Sequence, residues 1–379
     1  MVVTGLSGNE IFCLNKMGFK PGNVLVGNSV FSLGLLGSIK SGFRGLVGGE
    51  IPQYTEIIAE GRNLSLNRLQ KELQNVNGIG ATGVTSELIF HESNIEFLSI
   101  GSTLHANDDN PREKFSSSND GQELYCQLDS GYEPRKFAFG NVAYSIGIGQ
   151  TLLGGLKTLV RGEIKEYTDI FTKTRNLALA RIAADGKADG ANCVIGIETS
   201  IIPFNSLSVQ EMVMIGTASY NPTIPAEYAD TILTSDLTCE EMWNLTNMGY
   251  IPRRLVLGTS IYSLGFTGGI TSILKSFVKG EINELTTLIY DARESSIGKV
   301  FSEAKSIGAD DVVGLKTYVY SLGSGLIEFL AIGTAVKYVG PQITTKHEQL
   351  LTQAIIRDKD TFFNASESSY GINLNNGTK

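Results

Sequence analysis

The spacing of hydrophobic residues changes in a fixed order along the chain, and this order occurs three times. Residues 23–32, which are rich in valine and aromatic side chains, predict a β-strand. Residues 33–47 carry apolar side chains at helical spacing, and a second helix with an apolar stripe follows, as in residues 285–307. Two strands of alternating polarity end each copy. Each copy is therefore predicted to be βααββ, two helices on a small, mainly antiparallel sheet, and the fold class is α+β.

A glycine–glutamate motif marks the position of each copy. The stretch "GLVGGEIPQYT" (45–55) returns as "TLVRGEIKEYT" (158–168) and "SFVKGEINELT" (276–286). The strand end "GNSVFSLG" (27–34) returns as "GNVAYSIG" (140–147) and "GTSIYSLG" (258–265). A short helical lead-in precedes each strand. The chain is therefore predicted to contain three tandem domains of about 100 residues each.

The predicted boundaries follow from these repeats and from the polar stretches between them. The three copies occupy residues 1–105, 123–220 and 238–338, with linkers at 106–122 and 221–237 and a C-terminal tail at 339–379. The first linker is rich in charged and polar residues, which predicts an exposed, mobile segment. One short helix is predicted in the tail, over residues 345–357, and the end of the tail is predicted to be loose.

Composition and charge narrow the classes of function. Of the 379 residues, 42% are hydrophobic and 18% are charged, which is typical of a globular protein, and the net charge of -8 argues against nucleic acid as a partner. No apolar run reaches the roughly 18 to 20 residues that span a bilayer. The first residues lack a secretory signal pattern, and the four cysteines, without a Cys-x-x-Cys pair, fit reduced thiols. A cytoplasmic protein without a membrane span is predicted.

The glutamates of the motif and the arginines twelve residues after them recur in all three copies. They are Glu50, Glu163 and Glu281, and Arg62, Arg175 and Arg293. In the favoured interpretation these residues are structural: the glutamate meets the exposed amides at the start of the second helix, or it bridges to the arginine. In the other interpretation they belong to an acidic–basic ligand site or a catalytic constellation.

Candidates for catalysis and metal binding do not recur in this way. The tyrosine of the motif in copies 1 and 2 is Leu285 in copy 3, and no histidine accompanies the recurring serines at the strand ends. Cys13 and Cys126 correspond to Asn244 in copy 3. Because soft metals require several converging cysteine or histidine ligands, no metal site, cofactor or catalytic residue is predicted, and the chain is predicted not to be an enzyme.

Small residues recur at four-residue steps in the first helix of each copy. Gly34, Gly147 and Gly265 begin this series. Their surroundings are apolar and periodic, so these glycines are predicted to let another helix or a sheet approach closely. A phosphate-binding loop is the weaker interpretation, because the glycine-rich phosphate motifs do not occur.

The stretch "GNSVFSLGLLGSIKSGFRGLVGGEIPQYTEIIAEGRNLSLNRL" (27–69) resembles the core of the YbjQ family, which is also catalogued as a heavy-metal-binding domain. The stretches "AKSIGADDVVGLK" (304–316) and "EFLAIGTAVKY" (328–338) resemble the second half of that family. The resemblance covers nearly all of each copy except the lead-in. It implies a dodecin-like α+β fold that assembles into pentameric rings and whose biochemical role is poorly defined.

A small three-stranded sheet leaves edge strands and an apolar margin that ring closure would cover. We therefore expect a non-catalytic, ring-forming scaffold or assembly protein, with the chain itself as its partner and an unidentified protein as a second one. The expected form is a homopentamer of stacked rings, in which each copy joins its own kind; a ring of mixed copies is the alternative. The alternative function is a small-ligand or heavy-metal-ion binding protein, with sites between subunits near the Glu–Arg positions.

Overall fold

The computed structural model describes residues 1–32, 34, 49–91, 93–108, 113–145, 162–204, 209–228, 231–263, 283–323 and 326–356. Within these residues the chain is mixed α and β, and one succession of elements occurs three times. The α+β class and the three repeated copies are therefore confirmed. The helix predicted over residues 33–47 and its counterparts in the other copies lie almost entirely outside the described residues.

The elements follow the copies in order. Copy 1 contains helices α1 (Gly8–Lys16) and α2 (Pro52–Asn75) and strands β1 (Phe19–Ser32), β2 (Gly49–Glu50), β3 (Gly80–His91) and β4 (Asn94–Ala106). Strand β5 (Phe115–Ser116) leads into copy 2, with α3 (Gly121–Asp129), β6 (Glu133–Ser145), β7 (Gly162–Glu163), α4 (Lys165–Ala188), β8 (Cys193–Phe204) and β9 (Val209–Tyr220). Strand β10 (Leu233–Thr234) leads into copy 3, with α5 (Cys239–Asn247), β11 (Tyr250–Ser263), α6 (Asn283–Ser306), β12 (Asp311–Gly323) and β13 (Leu326–Tyr338). A 3-10 turn at Ala226–Tyr228 and α7 (Thr352–Ile355) complete the described elements.

Each copy has three long antiparallel strands, and its last strand lies in the middle. The orders are β1-β4-β3, β6-β9-β8 and β11-β13-β12. A glycine with positive φ interrupts the second long strand at the same place in each copy: Gly83 (60°), Gly196 (62°) and Gly314 (65°). The register shifts there, and this bulge has a backbone conformation that a residue with a Cβ adopts only with strain.

The long helix of each copy crosses the first strand of that copy at a glycine. A Cβ added there would overlap a carbonyl oxygen of the helix: Gly27 against Ser65, Gly140 against Ala178 and Gly258 against Ser296. Backbone approaches backbone this closely only where no side chain lies between. The first glycine of the recurring strand-end motif therefore sets how closely the helix lies against the sheet.

The three lead-in helices begin with the same capping box. Ser7, Asp120 and Thr238 accept the amide hydrogen bond of a glutamate three residues later, and that glutamate accepts from the cap's own N–H. Helix α3 contacts both α1 and α5, and α7 of the tail contacts α1 and α3. The lead-in helices therefore form one continuous layer beside the sheets.

Both linkers are parts of the sheets. Strand β5 pairs in parallel with β3, and β10 pairs in parallel with β8, so each linker extends the sheet of the copy before it. The linkers also contact the copy that follows, because Phe137 N donates to Ser116 Oγ at 2.9 Å. Leu255 N donates to Thr234 Oγ1 at the same distance. The prediction of an exposed, mobile first linker is wrong for residues 115–119, which are largely buried, because backbone pairing holds a segment of polar composition.

The first part of the tail lies on the lead-in helices. The predicted helix over residues 345–357 is reduced to α7. Asp129 is fully buried and accepts hydrogen bonds from Trp243 Nε1, at 2.7 Å, and from His347 N, at 3.3 Å. A buried carboxylate that accepts from both Trp243 and His347 holds the tail to copies 2 and 3. Residues 357–379 lie outside the described residues.

The four cysteines are free, in agreement with the reduced thiols expected from the sequence, and all four are buried. Burial raises the pKa of the Cys13 thiol to about 11, and it also raises the pKa of the thiols of Cys126, Cys193 and Cys239. We expect these thiols to react with Ellman's reagent at least about a hundredfold more slowly in the native chain than in denaturant. Rapid labelling of one native thiol would contradict the burial described here.

Candidate functional site

The glycine–glutamate motif joins each copy to the next. Strand β2 of copy 1 pairs antiparallel with the end of β6 in copy 2, where Glu50 lies opposite Tyr144. Strand β7 of copy 2 pairs in the same way with the end of β11 in copy 3, where Glu163 lies opposite Tyr262. These pairings lie within two larger contacts, junction 1–2 and junction 2–3. A two-residue strand at the edge of the neighbouring sheet is the first shared feature of both junctions.

The glutamate of the motif also contacts the next copy through its side chain. At junction 1–2, Glu50 Oε1 lies 2.7 Å from Arg181 Nη1. At junction 2–3, Glu163 Oε1 lies 2.7 Å from Lys299 Nζ. Arg181 and Lys299 occupy the same position of their copies. Glu281, the third glutamate of the motif, lies outside the described residues.

The capping form of the structural interpretation is wrong for copies 1 and 2. The N-caps of α2 and α4 are Ile51 and Ile164, and neither makes a side-chain capping bond. The physical reason is the strand pairing, which places the glutamate one residue before the cap and beside the neighbouring sheet. The ion pairs expected within a copy, from Glu50 to Arg62 and from Glu163 to Arg175, are replaced by ion pairs between copies.

Arg62 and Arg175 are fully buried, and each binds a glutamate of the next copy. Arg62 Nε and Nη2 donate to the two carboxylate oxygens of Glu211, at 3.2 and 2.7 Å. Arg175 donates in the same way to Glu328, at 3.0 and 2.6 Å. Both glutamate side chains are also fully buried. Two parallel bonds between planar groups fix orientation as well as distance, so each pair aligns a long helix with the neighbouring sheet.

The surroundings of the two arginines differ in detail. Arg62 Nη1 donates to Ser86 O at 2.7 Å. The Cζ of Arg175 lies 4.6 Å from the ring centroid of Tyr144, which is a cation–π distance. Burial disfavours the charge of Arg175, but the adjacent Glu328 carboxylate outweighs this and raises the pKa of Arg175. Arg175 is therefore held as a cation away from water.

The threonine that ends the motif provides a further contact at both junctions. Ala143 N donates to Thr55 Oγ1 at 2.9 Å, and Ile261 N donates to Thr168 Oγ1 at 2.9 Å. The carbonyl oxygen of Ala143 accepts from Ile51 N at 2.8 Å. The first strand of the receiving copy thus has partners for its edge N–H and C=O groups, which an open edge would leave to water.

Sequence analysis missed the glutamates that receive the arginines. Glu96, Glu211 and Glu328 each stand two residues before the recurring strings "LSIGST", "VMIGTA" and "LAIGTA". That recurrence is visible in the sequence. However, an acidic residue in an alternating strand is expected on the solvent side, and nothing local indicates a partner about 150 residues away.

Copy 3 presents the arginine position differently. Arg293 of α6 corresponds to Arg62 and Arg175, but it is exposed and has no ion pair or hydrogen bond with any other described residue. Thr286, which corresponds to Thr55 and Thr168, is also exposed. The side of copy 3 that corresponds to the donating side of copies 1 and 2 is thus uncovered.

Copy 1 presents the glutamate position differently. Glu96 makes its hydrogen bonds within copy 1, with His91 Nε2 at 2.8 Å and from Asn28 Nδ2 at 3.1 Å. The bond with His91, which is the larger effect, and the bond from Asn28 both lower the pKa of Glu96. Glu96 is therefore an anion at neutral pH, and no arginine among the described residues is paired with it.

Of the three glycines predicted to allow close packing, only Gly34 lies within the described residues. At Gly34 an added Cβ would lie 3.3 Å from Ser32 Oγ, with no second element nearby among the described residues. Gly147 and Gly265 lie outside the described residues. Close packing at these three positions stays a prediction.

A cavity of about 810 Å³ lies where strands of all three copies meet. Asp236 on its wall is paired with Lys316 Nζ at 3.2 Å, whereas Glu87 is partly buried and burial raises its pKa. The described part of the chain contains no group of three or more histidine, cysteine, aspartate or glutamate side chains placed to hold a metal ion. None of the described helices is long and apolar enough to cross a membrane.

Comparison with known proteins shows which family and which individual proteins the chain resembles. The family described as "Putative heavy-metal-binding", the YbjQ family, matches residues 20–96, 132–221 and 250–339. An encapsulin nanocompartment protein of Mycobacterium tuberculosis is 28% identical over 206 residues, which is 52% of this chain and 76% of the relative. A UPF0145 protein of Clostridium perfringens is 37% identical over 84 residues, 22% of this chain and 79% of the relative. One of Vibrio campbellii is 42% identical over 82 residues, 21% of this chain and 75% of the relative. Because the three family matches together cover more than half of the chain, this protein belongs to the YbjQ family and contains the family's domain three times.

Proposed function

We propose that the chain is a non-catalytic scaffold that assembles with further copies of itself into a ring. The observation that carries this proposal is the repetition of one contact at junctions 1–2 and 2–3: strand addition, a buried Arg–Glu pair and a threonine–amide bond. In each contact one copy donates and the next receives. Contacts of this heterologous kind continue until a ring closes or a filament grows.

Two likenesses support an assembly role. The Mycobacterium tuberculosis relative bears the name of an encapsulin nanocompartment protein, which is a name of an assembly. The family resemblance implies a dodecin-like domain in pentameric rings, and stacked rings in which each copy joins its own kind would take five chains, with fifteen domains. We also propose a cytoplasmic location and an unidentified protein as a second partner, by analogy with a relative that bears the name of a compartment.

Rings of mixed copies are now the favoured arrangement. In stacked rings of one kind, the donating side of copy 1 would contact copy 1 of another chain. In the structure that side is occupied by copy 2 of the same chain, through Arg62 and Glu211. Likewise Arg175 of copy 2 is occupied by Glu328 of copy 3. A ring built from whole chains in this way contains a multiple of three copies.

The proposal predicts the mass of the particle in solution. Light scattering across a dilution series should give a whole multiple of the 40.9 kDa chain mass that stays constant over a range of concentrations. Five chains are the number expected for stacked five-membered rings, and in a ring of mixed copies five chains would form one ring of fifteen domains. A mass of one chain at every concentration would contradict the scaffold proposal, and a mass that grows steadily with concentration would contradict ring closure.

The alternative function, binding of a small ligand or a heavy-metal ion between subunits, has one observation in its favour. The cavity shared by the three copies includes Glu87, which has no ion pair with another described residue. The carboxylates of the motif, by contrast, are paired with cations of the next copy. Elemental analysis of the purified chain separates the two functions, because stoichiometric zinc, copper or nickel would favour metal binding.

A further inference from the structure

We propose that copy 3 of one chain docks onto copy 1 of another through a third junction of the same kind, in which Arg293 pairs with the partner chain's counterpart of Glu96. This inference rests on the proposed function and names its contact. The occupant of the uncovered surface is a second copy of this chain, because copy 3 keeps an exposed donating side and copy 1 an exposed receiving side among the described residues.

The donating surface of copy 3 has the same kinds of side chain as the donating surfaces of copies 1 and 2, but in copy 3 these side chains are exposed. Arg293 and Thr286 are exposed, whereas the arginines and threonines at the same positions of copies 1 and 2 are buried. Leu315 in β12 is 43% exposed, whereas the residues at its position, Val84 and Ile197, are buried. A charged group, a hydroxyl and an apolar side chain that the other copies cover are thus all present and uncovered here.

The receiving surface of copy 1 shows the complementary difference. Val26 and Val30 of β1 are 44% and 57% exposed. Their counterparts in the receiving strands of copies 2 and 3 are buried: Phe139, Ala143, Leu257 and Ile261. In copies 2 and 3 the amide at the position of Val30 donates to the threonine of the preceding copy. The amide of Val30 is therefore the expected donor to Thr286 of the incoming chain.

The segment before α1 matches the linkers, which adds an independent contact. Counting back from the helix caps, Val2 and Val3 occupy the positions of Phe115–Ser116 and Leu233–Thr234, the two short parallel strands β5 and β10. Val2 and Val3 are exposed, and Phe115 and Leu233 are buried. Strands β5 and β10 pair with the start of β3 and β8, so Val2–Val3 would pair with Asp311–Val312 at the start of β12 in another chain.

Charge and backbone pairing favour a second copy over other occupants. The third junction would join an arginine to a glutamate. Junctions 1–2 and 2–3 already join an arginine and a glutamate at the same positions, in bidentate geometry. The third junction would also cover Arg68, which is exposed. Arg68 occupies the position of Arg181 and Lys299, but it has no carboxylate partner among the described residues. One donating and one receiving side per chain gives head-to-tail association.

Charge reversal tests this junction with two variants of the full-length chain. Arg293→Glu and Glu96→Arg should each weaken association by at least about 30-fold, because each places like charges at a desolvated contact. The double variant, which carries both substitutions in one chain, should restore assembly, since every third junction then joins the same two positions with their charges exchanged, whatever the number of chains. Native mass spectrometry should show the same number of chains in the particle of the double variant as in the particle of the unmodified chain.

The control is Lys305→Glu, which reverses a charge on α6 at a position that is exposed in all three copies and should leave assembly unchanged. If the unmodified chain assembles and the two reversals assemble equally well, the third junction is wrong and the scaffold proposal stands. If both reversals dissociate the particle but the double variant does not restore it, direct pairing of Arg293 with Glu96 is also contradicted. A monomeric unmodified chain would contradict the proposed function itself.

Discussion

Replacement of Glu328 by glutamine is expected to lower the free energy of unfolding by about 3 to 5 kcal/mol. The substitution keeps the shape of the side chain but leaves the buried Arg175 guanidinium without its anion, at a place that water does not reach. The cost of an uncompensated buried charge exceeds that of most surface changes. Urea denaturation followed by the fluorescence of Trp243, the one tryptophan of the chain, measures the loss in copy 3.

Two further variants make this expectation specific to the pair. Lys173→Ala removes an exposed cation from the same helix as Arg175 and should change stability by less than about 0.5 kcal/mol. The double variant Arg175→Met and Glu328→Met removes both charges and should recover much of the loss, because an apolar pair needs no desolvated partner. A loss of stability below about 1 kcal/mol for Glu328→Gln would contradict this account. So would a double variant whose loss of stability equals the sum of the losses of Arg175→Met and Glu328→Met alone.

Replacement of Gly140 by alanine is expected to destabilise the chain by at least about 1 to 3 kcal/mol. The new methyl group would overlap the carbonyl oxygen of Ala178 in α4, and the backbone of a helix cannot move aside as a flexible side chain can. Since α4 also carries Arg175, its displacement should weaken junction 2–3 as well. Urea denaturation again measures the effect.

Gly298→Ala is the matched control for this substitution. Gly298 lies within α6, and an added Cβ there meets no atom within 4 Å. Alanine favours helix over glycine by roughly 0.5 to 1 kcal/mol, so this variant should be slightly more stable than the unmodified chain. Equal stability of Gly140→Ala and the unmodified chain would show that the helix does not lie against the strand as described.

The parts of the fold that depend on local pattern could be predicted from the sequence. Period-2 and period-3.6 spacing is created by elements that bury one face, so the long strands and the second helix of each copy are visible in it. The recurrence of glycine, glutamate and arginine at fixed offsets identified three copies and pointed to Arg62 and Arg175 before their partners were known. Those partners could not be found in this way, since an ion pair between copies leaves no periodic signal.

Two features of the junctions were hidden for different physical reasons. Strand β2 has only two residues, Gly49 and Glu50, and so short a strand shows no alternation. The first linker is polar because its backbone pairs with β3 while its hydroxyl and amide side chains form hydrogen bonds with copies 2 and 3, and composition does not distinguish such buried polar groups from exposed ones. Glu50 does not cap the helix of its own copy because pairing with the neighbouring strand places its carboxylate beside Arg181.

The single layer formed by α1, α3 and α5, with α7 of the tail upon it, gives the molecule two unlike sides. A head-to-tail contact rotates one chain onto the next without turning it over, so every particle built in this way would carry all of its C-terminal segments on one rim and none on the other. A partner that binds one such segment weakly would then contact several of them at once. Its apparent affinity for the particle would rise through avidity, without any stronger individual contact.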